Sequence, residues 1–344
     1  MNSKGKILVA MSGGVDSSVA AALLKQDGYD VTGVTLKLWG GPSDTGCCSV
    51  SDVTDARRVA DLLEIEHHVF NFGDEFENHV VAPYVRSHSM GLTPNPCIEC
   101  NRHLKFDKLL RRANALGFNR MATGHHARIV RLAGGLRIGR GTDLSKDQSY
   151  VLHMLTQYQM EQLSLPLGTM MKTKVRELAA EMDLRVATKP DSQDVCFISQ
   201  AKGSRRRFLE ERISLNPARV LDNERQHVGE VDSIEMVTIG QRKGLGLSGQ
   251  GTPKYAVSID VDKAEVTIGH RSELFCESTE FDDLYWAGDP HVGGLEVQTS
   301  AHGKTASARV STTIHWQEPH MKVAPGQSLV FYDGDIVVGS AIAR

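Results

Sequence analysis

The chain has 344 residues, 40% of them hydrophobic and 24% charged, with a formal net charge of −3. That composition can build a large core in two or three domains and excludes a globally basic nucleic-acid binder, though not a local basic face. No run approaches the roughly 20 apolar residues of a membrane helix, and the apolar stretch from Ile7 to Met11 is too short for a signal-peptide core, so the expected location is cytoplasmic.

In chain order, short β-rich runs alternate with helical periodicity from Lys6 to about Thr123. KILVAM predicts a strand, Asp16 to Gln26 a helix, VTGVTLKLW a strand, DVTDARRVADLLEI a helix, HHVFNF a strand and EFENHVVAPYV a helix. Alternation of this kind predicts an α/β fold with a parallel sheet wrapped by helices. A helix-rich continuation runs from Tyr150 to about Leu184. Past Arg207 the texture changes to short alternating strands with Gly, Asp and Asn turns, as in KYAVSIDVDKAEVTIG and GQSLVFYDGDIVVGSAIA, where Asp333-Gly334 makes a hairpin turn. One domain boundary is therefore expected between residues 200 and 210 and another near Glu277 to Asp282, giving segments 1–205, 206–276 and 277–344. Internal repeats and low-complexity segments are absent from the sequence.

Between the first strand and the first helix stands SGGVDSS, Ser12 to Ser18. A glycine-rich turn there exposes backbone N–H groups at the positive end of the helix dipole, where phosphate binds without a basic side chain. Gly13 and Gly14 let the backbone approach a ligand, and Ser12, Asp16, Ser17 and Ser18 add donors or caps. The stretch is neither a Walker A motif, lacking Gly-Lys-Ser/Thr, nor a dinucleotide fingerprint, lacking that glycine spacing. Its spacing alone is equally consistent with a capped strand-to-helix turn.

Six cysteines (Cys47, Cys48, Cys97, Cys100, Cys196 and Cys276) point to thiol chemistry or metal binding rather than a disulfide framework. Lys189 would favour a thiolate at Cys196, while Asp191 and Asp194 would oppose it. His125 and His126 are adjacent; on a strand they would face opposite ways, which argues against one shared ion. Cys47, Cys48 and Cys276 read as structural. Basic residues in KGSRRRF (Lys202, Arg205, Arg206, Arg207) and in QRK (Gln241, Arg242, Lys243) suit either phosphate contacts or a solvated face.

SGGVDSS after a first strand resembles the pyrophosphate loop of ATP pyrophosphatases, which adenylate an oxygen of their substrate. CCSVSDVTDARRVADLL, GLTPNPCIECNRHLKF, ATGHHARI, SKDQSYVL, KPDSQDVCFI, TIGQRKGLGL and VAPGQSLVFYDGD, in that order, further resemble the tRNA-specific 2-thiouridylases over nearly the whole chain. The resemblance implies a doubly wound parallel sheet of the adenine nucleotide alpha hydrolase type, then two small β-rich domains, the last a β-barrel. It implies adenylation of the 2-oxygen of a wobble uridine by ATP with Mg²⁺, then replacement by sulfur from a cysteine persulfide. A protein sulfur donor, a cysteine desulfurase or a relay protein, is the implied partner beside tRNA.

Residue by residue, the resemblance makes Cys196 the persulfide carrier and Cys100 the thiol that releases the sulfur. It puts ATP on Ala10, Met11, Ser12, Gly13, Gly14, Val15, Asp16, Ser17, Leu36 and Gly124. It puts tRNA on Asn95, Pro96 and Cys97, where the target base would sit, and on Lys146, Asp147, Gln148 and Arg309. Three departures stand out: Cys97 where the family commonly has Asp, His126 where it has Tyr, and Ser307-Ala308 before Arg309 where it more often has Arg-Tyr. The first leaves a second chemistry open. Cys97, Cys100 and Cys196 offer three thiolates to a [4Fe–4S] cluster, and C-x-x-C is equally a zinc half-site. Another adenylating enzyme, or a nucleotide-binding module without turnover, are the alternatives to thiolation.

Overall fold

The computed structural model describes residues 3–38, 50–191, 195–198, 204–247, 252–291 and 293–344. Cys47, Cys48, Asp194 and Lys202 lie outside the described residues. The chain divides into two compact units, one of Met1–Val81, Pro96–Ser199 and Asp335–Val337, the other of Ala82–Asn95, Gln200–Gly334 and Val338–Arg344.

The first unit is built on β1 (Lys6–Ala10), α1 (Val15–Gln26), β2 (Asp30–Lys37), α2 (Val50–Leu62), β3 (Glu66–Asn71), β4 (Arg120–Thr123), the hairpin of β5 (Ala127–Leu132) and β6 (Gly135–Arg140), and β7 (Leu163–Ser164). Its parallel sheet has the order β3-β2-β1-β4-β7. Ala10, the last residue of β1, pairs with Val34 on one side and Thr123 on the other. The winding therefore reverses at β1, and a crevice opens beyond the C-terminal ends of β1 and β4, where open α/β sheets bind ligands.

Both faces of this sheet are covered, so its strands are buried runs rather than alternating ones; Ile7, Leu8 and Val9 are all fully buried. α1 presses Val15, Val19, Ala20, Ala21 and Leu24 into a core shared with Val175 and Ala179 of the helix Lys172–Glu181. Each such large side chain contributes about 1.5–3 kcal/mol. Among the described residues no helix is long and apolar enough to cross a membrane.

The second unit holds a four-stranded sheet of β8 (Ala218–Leu221), β9 (His227–Val231), β10 (Tyr255–Asp260) and β11 (Glu265–Gly269). It then continues through β12 (Phe275–Thr279), β13 (Phe281–Trp286), β14 (Gly294–Gln298), β15 (Ala306–Val310), β16 (Ile314–Met321), β17 (Ser328–Asp333) and β18 (Ile336–Ala343). The order β12-β16-β15-β14-β17-β18, with β13 paired to β18, is a barrel-like antiparallel arrangement. Each sheet has a core of its own, Val220, Val231 and Val266 in the first and Val297, Ile314 and Phe331 in the second. Gly334, at φ +56°, turns the chain between β17 and β18, as expected of Asp-Gly.

Candidate active site

The turn between β1 and α1 is shaped by its own side chains. The Ser12 N–H donates to Ser17 Oγ (3.1 Å), and the Ser17 and Ser18 hydroxyls donate to the Gly14 carbonyl (3.2 and 2.8 Å). Gly14 is the N-cap residue in extended conformation, and no side chain caps the α1 amides, which suits the helix start to an anion. Gly13 has φ +71°, and a Cβ on it would meet the Asp52 carbonyl oxygen at 2.2 Å. Gly124, just past β4, would place a Cβ 2.6 Å from Ser17 N. Both positions need glycine because two backbones meet there.

Most of the expected nucleotide residues are thus gathered in one place. Ser12 to Ser17 line the turn and Gly124 abuts it, while Met11 and Val15 are core side chains. The Met11 carbonyl accepts from Thr35 Oγ1 (2.7 Å). Ala10 closes β1, and buried Leu36 faces Phe70 near the end of β2.

Asp16 anchors an ion-pair network absent from the sequence reading. Lys172 Nζ lies 2.7 and 2.6 Å from its two carboxylate oxygens and His126 Nε2 lies 3.0 Å from Oδ1. Burial alone would raise the Asp16 pKa, but the bonds from His126 and Lys172 outweigh it and hold the carboxyl below its usual range. Lys172 also reaches Asp191 (2.9 Å), which Lys146 (2.8 Å) and Arg176 (2.7 Å) pair as well. Asp191 is accordingly held far below the usual carboxylate range, against the opposing effect of burial, by bonds from Lys146 and Lys172.

Lys189 is engaged at the phosphate loop. Its Nζ donates to the Gly13 carbonyl (3.0 Å) and pairs with Asp52 and Asp55 (both 2.7 Å). Desolvation works to lower the Lys189 pKa, and the two carboxylates more than reverse it. The lysine is a brace between α2 and the phosphate loop.

The residues 124–126 lie between β4 and β5 rather than in a strand, which corrects the basis on which the two histidines were separated. They still diverge. His125 is fully buried, with Nδ1 2.7 Å from Thr123 Oγ1 and its ring beside Phe106, and burial first, then the Lys105 and His126 charges, push its pKa well down. His126 turns to Asp16, with its buried Nδ1 lacking a partner.

Gln148 and Asp147 are used inside the unit. Gln148 accepts from the His126 N–H with its side chain (2.9 Å) and donates to the His126 carbonyl with its own N–H (2.9 Å). Asp147, with a side chain only 4% exposed, accepts from the N–H groups of Gly141 and Ser149 and from Ser149 Oγ. These two residues therefore fix the loop that positions His126. Lys146 remains more exposed, on Asp191.

Cys97 lies in the short helix Pro96–Glu99, and buried Cys100 opens a π-helix, Cys100–Leu109. Wide helical turns of this kind concentrate at functional sites. Asn101, buried next to Cys100, donates to the Val151 carbonyl (3.0 Å), tying the π-helix to the turn Ser149–Leu152. Cys196 follows Val195, a β-branched residue at φ +52°, a conformation costing roughly 1–3 kcal/mol. Phe197, next in the chain, packs edge-on against Phe76 at 5.5 Å between centroids. Phe76 closes the short helix Gly73–Phe76, which itself contacts the Cys100 π-helix. Cys97, Cys100, Cys196 and Cys276 are thiols. Cys276 sits in β12 opposite His320.

Among the described residues no group of three His, Cys, Asp or Glu side chains is arranged to hold a metal ion. Cys97, Cys100 and Cys196 are not such a group, and the C-x-x-C pair gathers no third ligand of these types among the described residues. In the second unit Asn95 ends the segment Ala82–Asn95, and Arg309 is exposed on β15 opposite Gly294. Arg205, Arg206 and Arg207 lie on the helix Ser204–Glu210, where Arg206 pairs with Glu210 and Arg205 approaches His88. Gln241 bonds within its own turn, to Thr238 N and the Lys243 carbonyl.

Three family models match successive parts of the chain: a tRNA methyl transferase HUP domain at residues 5–200, a tRNA methyl transferase PRC-barrel domain at 206–270 and an aminomethyltransferase β-barrel domain at 281–343. Among curated proteins, the tRNA-specific 2-thiouridylase MnmA of Chloroflexus aggregans is 43% identical over 353 residues, 98% of each chain. The protein of that name from Heliobacterium modesticaldum is 43% identical over 98% of this chain and 91% of its own. A solved U34-tRNA thiolase NcsA from Methanococcus maripaludis with its [4Fe-4S] cluster is 16% identical, covers 61% of this chain and 66% of its own, and superposes with a TM-score of 0.37. At that distance it says nothing about ligands here.

Proposed function

The chain belongs to the tRNA-specific 2-thiouridylase family, and on that premise we propose how its α/β unit, adenine nucleotide alpha hydrolase-like in fold, carries out an ATP-dependent sulfur transfer to uridine in tRNA. The observation that carries the reading is a match to curated 2-thiouridylases over 98% of both chains, which includes the phosphate loop, Cys100 and Cys196. ATP lies with its phosphates on the turn Ser12–Ser17 and its adenosine between Leu36 and Gly124. Mg²⁺ bound with the nucleotide would offset the phosphate charge.

The wobble uridine, splayed from the anticodon loop over Asn95, Pro96 and Cys97, presents its 2-oxygen to the α-phosphorus. The O–P bond forms as pyrophosphate leaves, and the base becomes an activated adenylate. The terminal sulfur of a Cys196 persulfide then attacks C2 and AMP departs. Cys100 thiolate attacks Cys196 Sγ, which breaks the S–S bond to the base, leaves 2-thiouridine and forms a Cys100–Cys196 disulfide. A thiol reductant reopens that disulfide for the next turnover. A sulfur-donating protein, a desulfurase or relay protein of the cytoplasm, reloads Cys196.

The modules are residues 1–205 for catalysis, 206–276 as a central β-rich part and 277–344 as a barrel, a division supported by the separate cores of the two later sheets. Arg309, exposed on the barrel, contacts tRNA, as does the stretch Lys146, Asp147 and Gln148, of which Lys146 is the most exposed. Incubation with unmodified tRNA, ATP and a sulfide source, followed by mass analysis of the nucleosides, tests the reading. It predicts 2-thiouridine with AMP and pyrophosphate as the nucleotide products. ADP and inorganic phosphate as main products would remove it in favour of another ATP-using enzyme. ATP binding without turnover would leave a nucleotide-binding module.

A further inference from the structure

The phosphate loop has no lysine of its own, yet polyphosphate carries a high charge. The described cations beside it are already committed: Lys172 to Asp16 and Asp191, Lys146 and Arg176 to Asp191, Lys189 to Asp52 and Asp55. These four cations pair with four carboxylates, with His126 also on Asp16 and Arg58 also beside Asp55. A phosphate entering this network must take a cation from a carboxylate, and stripping the last partner from a partly buried carboxylate costs several kcal/mol.

The network is unequal in what it can give up. Lys189 is the lysine partner of Asp52 and Asp55 and also holds the Gly13 carbonyl, so its departure would loosen the loop itself. Lys172 differs. If it leaves Asp191, Lys146 and Arg176 remain there, and if it leaves Asp16, His126 Nε2 remains at 3.0 Å. Its backbone is fixed by an N–H bond to Asp143 Oδ2 (3.0 Å), while its four-carbon side chain, 9% exposed, ends 2.6 Å from a carboxylate on the first turn of α1. The ammonium already stands on the Asp16 carboxylate, a side chain of the phosphate loop.

We infer that Lys172 is the cation that passes from the Asp16–Asp191 pair to the ATP phosphates, with Asp191 as the placeholder that competes for it when the nucleotide is absent. This rests on the reading of Ser12–Ser17 as an ATP site and assigns to it a phosphate-binding side chain 156 residues away. The residue binds and positions the phosphates; it transfers no proton in this account.

Two substitutions read out opposite signs. Calorimetric titration of the full-length protein uses ATP with Mg²⁺, inorganic pyrophosphate and AMP as probes. Lys172→Met is expected to weaken ATP and pyrophosphate by about tenfold or more and AMP by less than about twofold, the loss of one charge-assisted contact. Lys172→Arg should restore part of the pyrophosphate affinity, which guards against a misfolded methionine variant. Asp191→Asn should tighten pyrophosphate several-fold, since the competing charge is gone, while lowering the melting temperature. A merely structural Asp191 would weaken both together, and that result overturns the inference. So does ATP binding in Lys172→Met equal to the parent protein's. A parent protein that binds no ATP defeats the underlying site assignment as well, which separates the two failures.

Discussion

The phosphate loop and the Cys196 turn lie in the same α/β unit but are held by different forces. Around Ser12–Ser18 the shaping contacts are directional: hydroxyls on the Gly14 carbonyl, Lys189 on the Gly13 carbonyl, and Lys172 with His126 on Asp16. The Cys196 turn carries a valine at positive φ, a bond from the Ile198 N–H to the Val195 carbonyl and an aromatic edge contact of Phe197. Directional bonds in a poorly solvated site fix positions closely, as repeated capture of one phosphate geometry requires.

The largest effects should come from removing sulfur chemistry while sparing activation. Cys196→Ser and Cys100→Ser are each expected to abolish 2-thiouridine, because a hydroxyl neither carries a persulfide nor forms the releasing disulfide. Cys100→Ser should still release pyrophosphate with tRNA present. Nucleoside mass analysis beside a pyrophosphate assay separates the halves, and thiolation surviving in either variant would dissolve the contrast.

On the loop side, Gly13→Ala forces a Cβ to 2.2 Å from the Asp52 carbonyl oxygen at positive φ. The expected result is loss of ATP turnover with a stability drop of about 1–3 kcal/mol, measured by denaturant unfolding. Gly124→Ala, 2.6 Å from Ser17 N, should weaken ATP binding in the same way. Normal nucleotide affinity in both would mean that the loop tolerates displacement and is not closely fixed.

The pH dependence of stability sharpens the comparison further. His153, behind the π-helix, is fully buried with both ring nitrogens lacking a partner, and burial, aided by the Arg102 charge, pushes its pKa down to about 3. The unfolded chain binds that proton near pH 6.5, so stability is fully present above that value and falls as pH drops toward 3, by up to about 1.4 kcal/mol per pH unit. His153→Phe should flatten this part of the profile. The loop carboxylates act lower. Asp16 and Asp191 have depressed pKa values, so their contribution is present above the usual carboxylate range and is lost only as pH falls below it. A His153→Phe profile identical to the parent's would show that the imidazole binds its proton equally in the folded and unfolded chain.

The smallest effect is expected at Cys276, which pairs with His320 in the barrel-like sheet. Cys276→Ser should keep full thiolation and change stability by less than about 1 kcal/mol. Lost activity there would bring a thiol of the second unit into the chemistry.

Much of this was legible in the residues in their order. Apolar runs alternating with helical periodicity specified the parallel sheet, SGGVDSS between strand and helix marked the phosphate turn, and Asp333-Gly334 marked its hairpin, because each signal resides in a few consecutive residues that constrain one another directly. The Cys97, Cys100 and Cys196 positions were likewise readable as thiols with chemical potential. What only the tertiary structure decided is which distant groups meet. Lys172 reaches Asp16 across 156 residues and Lys189 reaches Asp52 across 137. Asp147 and Gln148 turn inward to brace the His126 loop. A lysine in KTKVRELAAE looks like any solvated helix charge until the helix is packed on α1, because burial and the identity of a counter-ion belong to the packed chain and not to its local sequence.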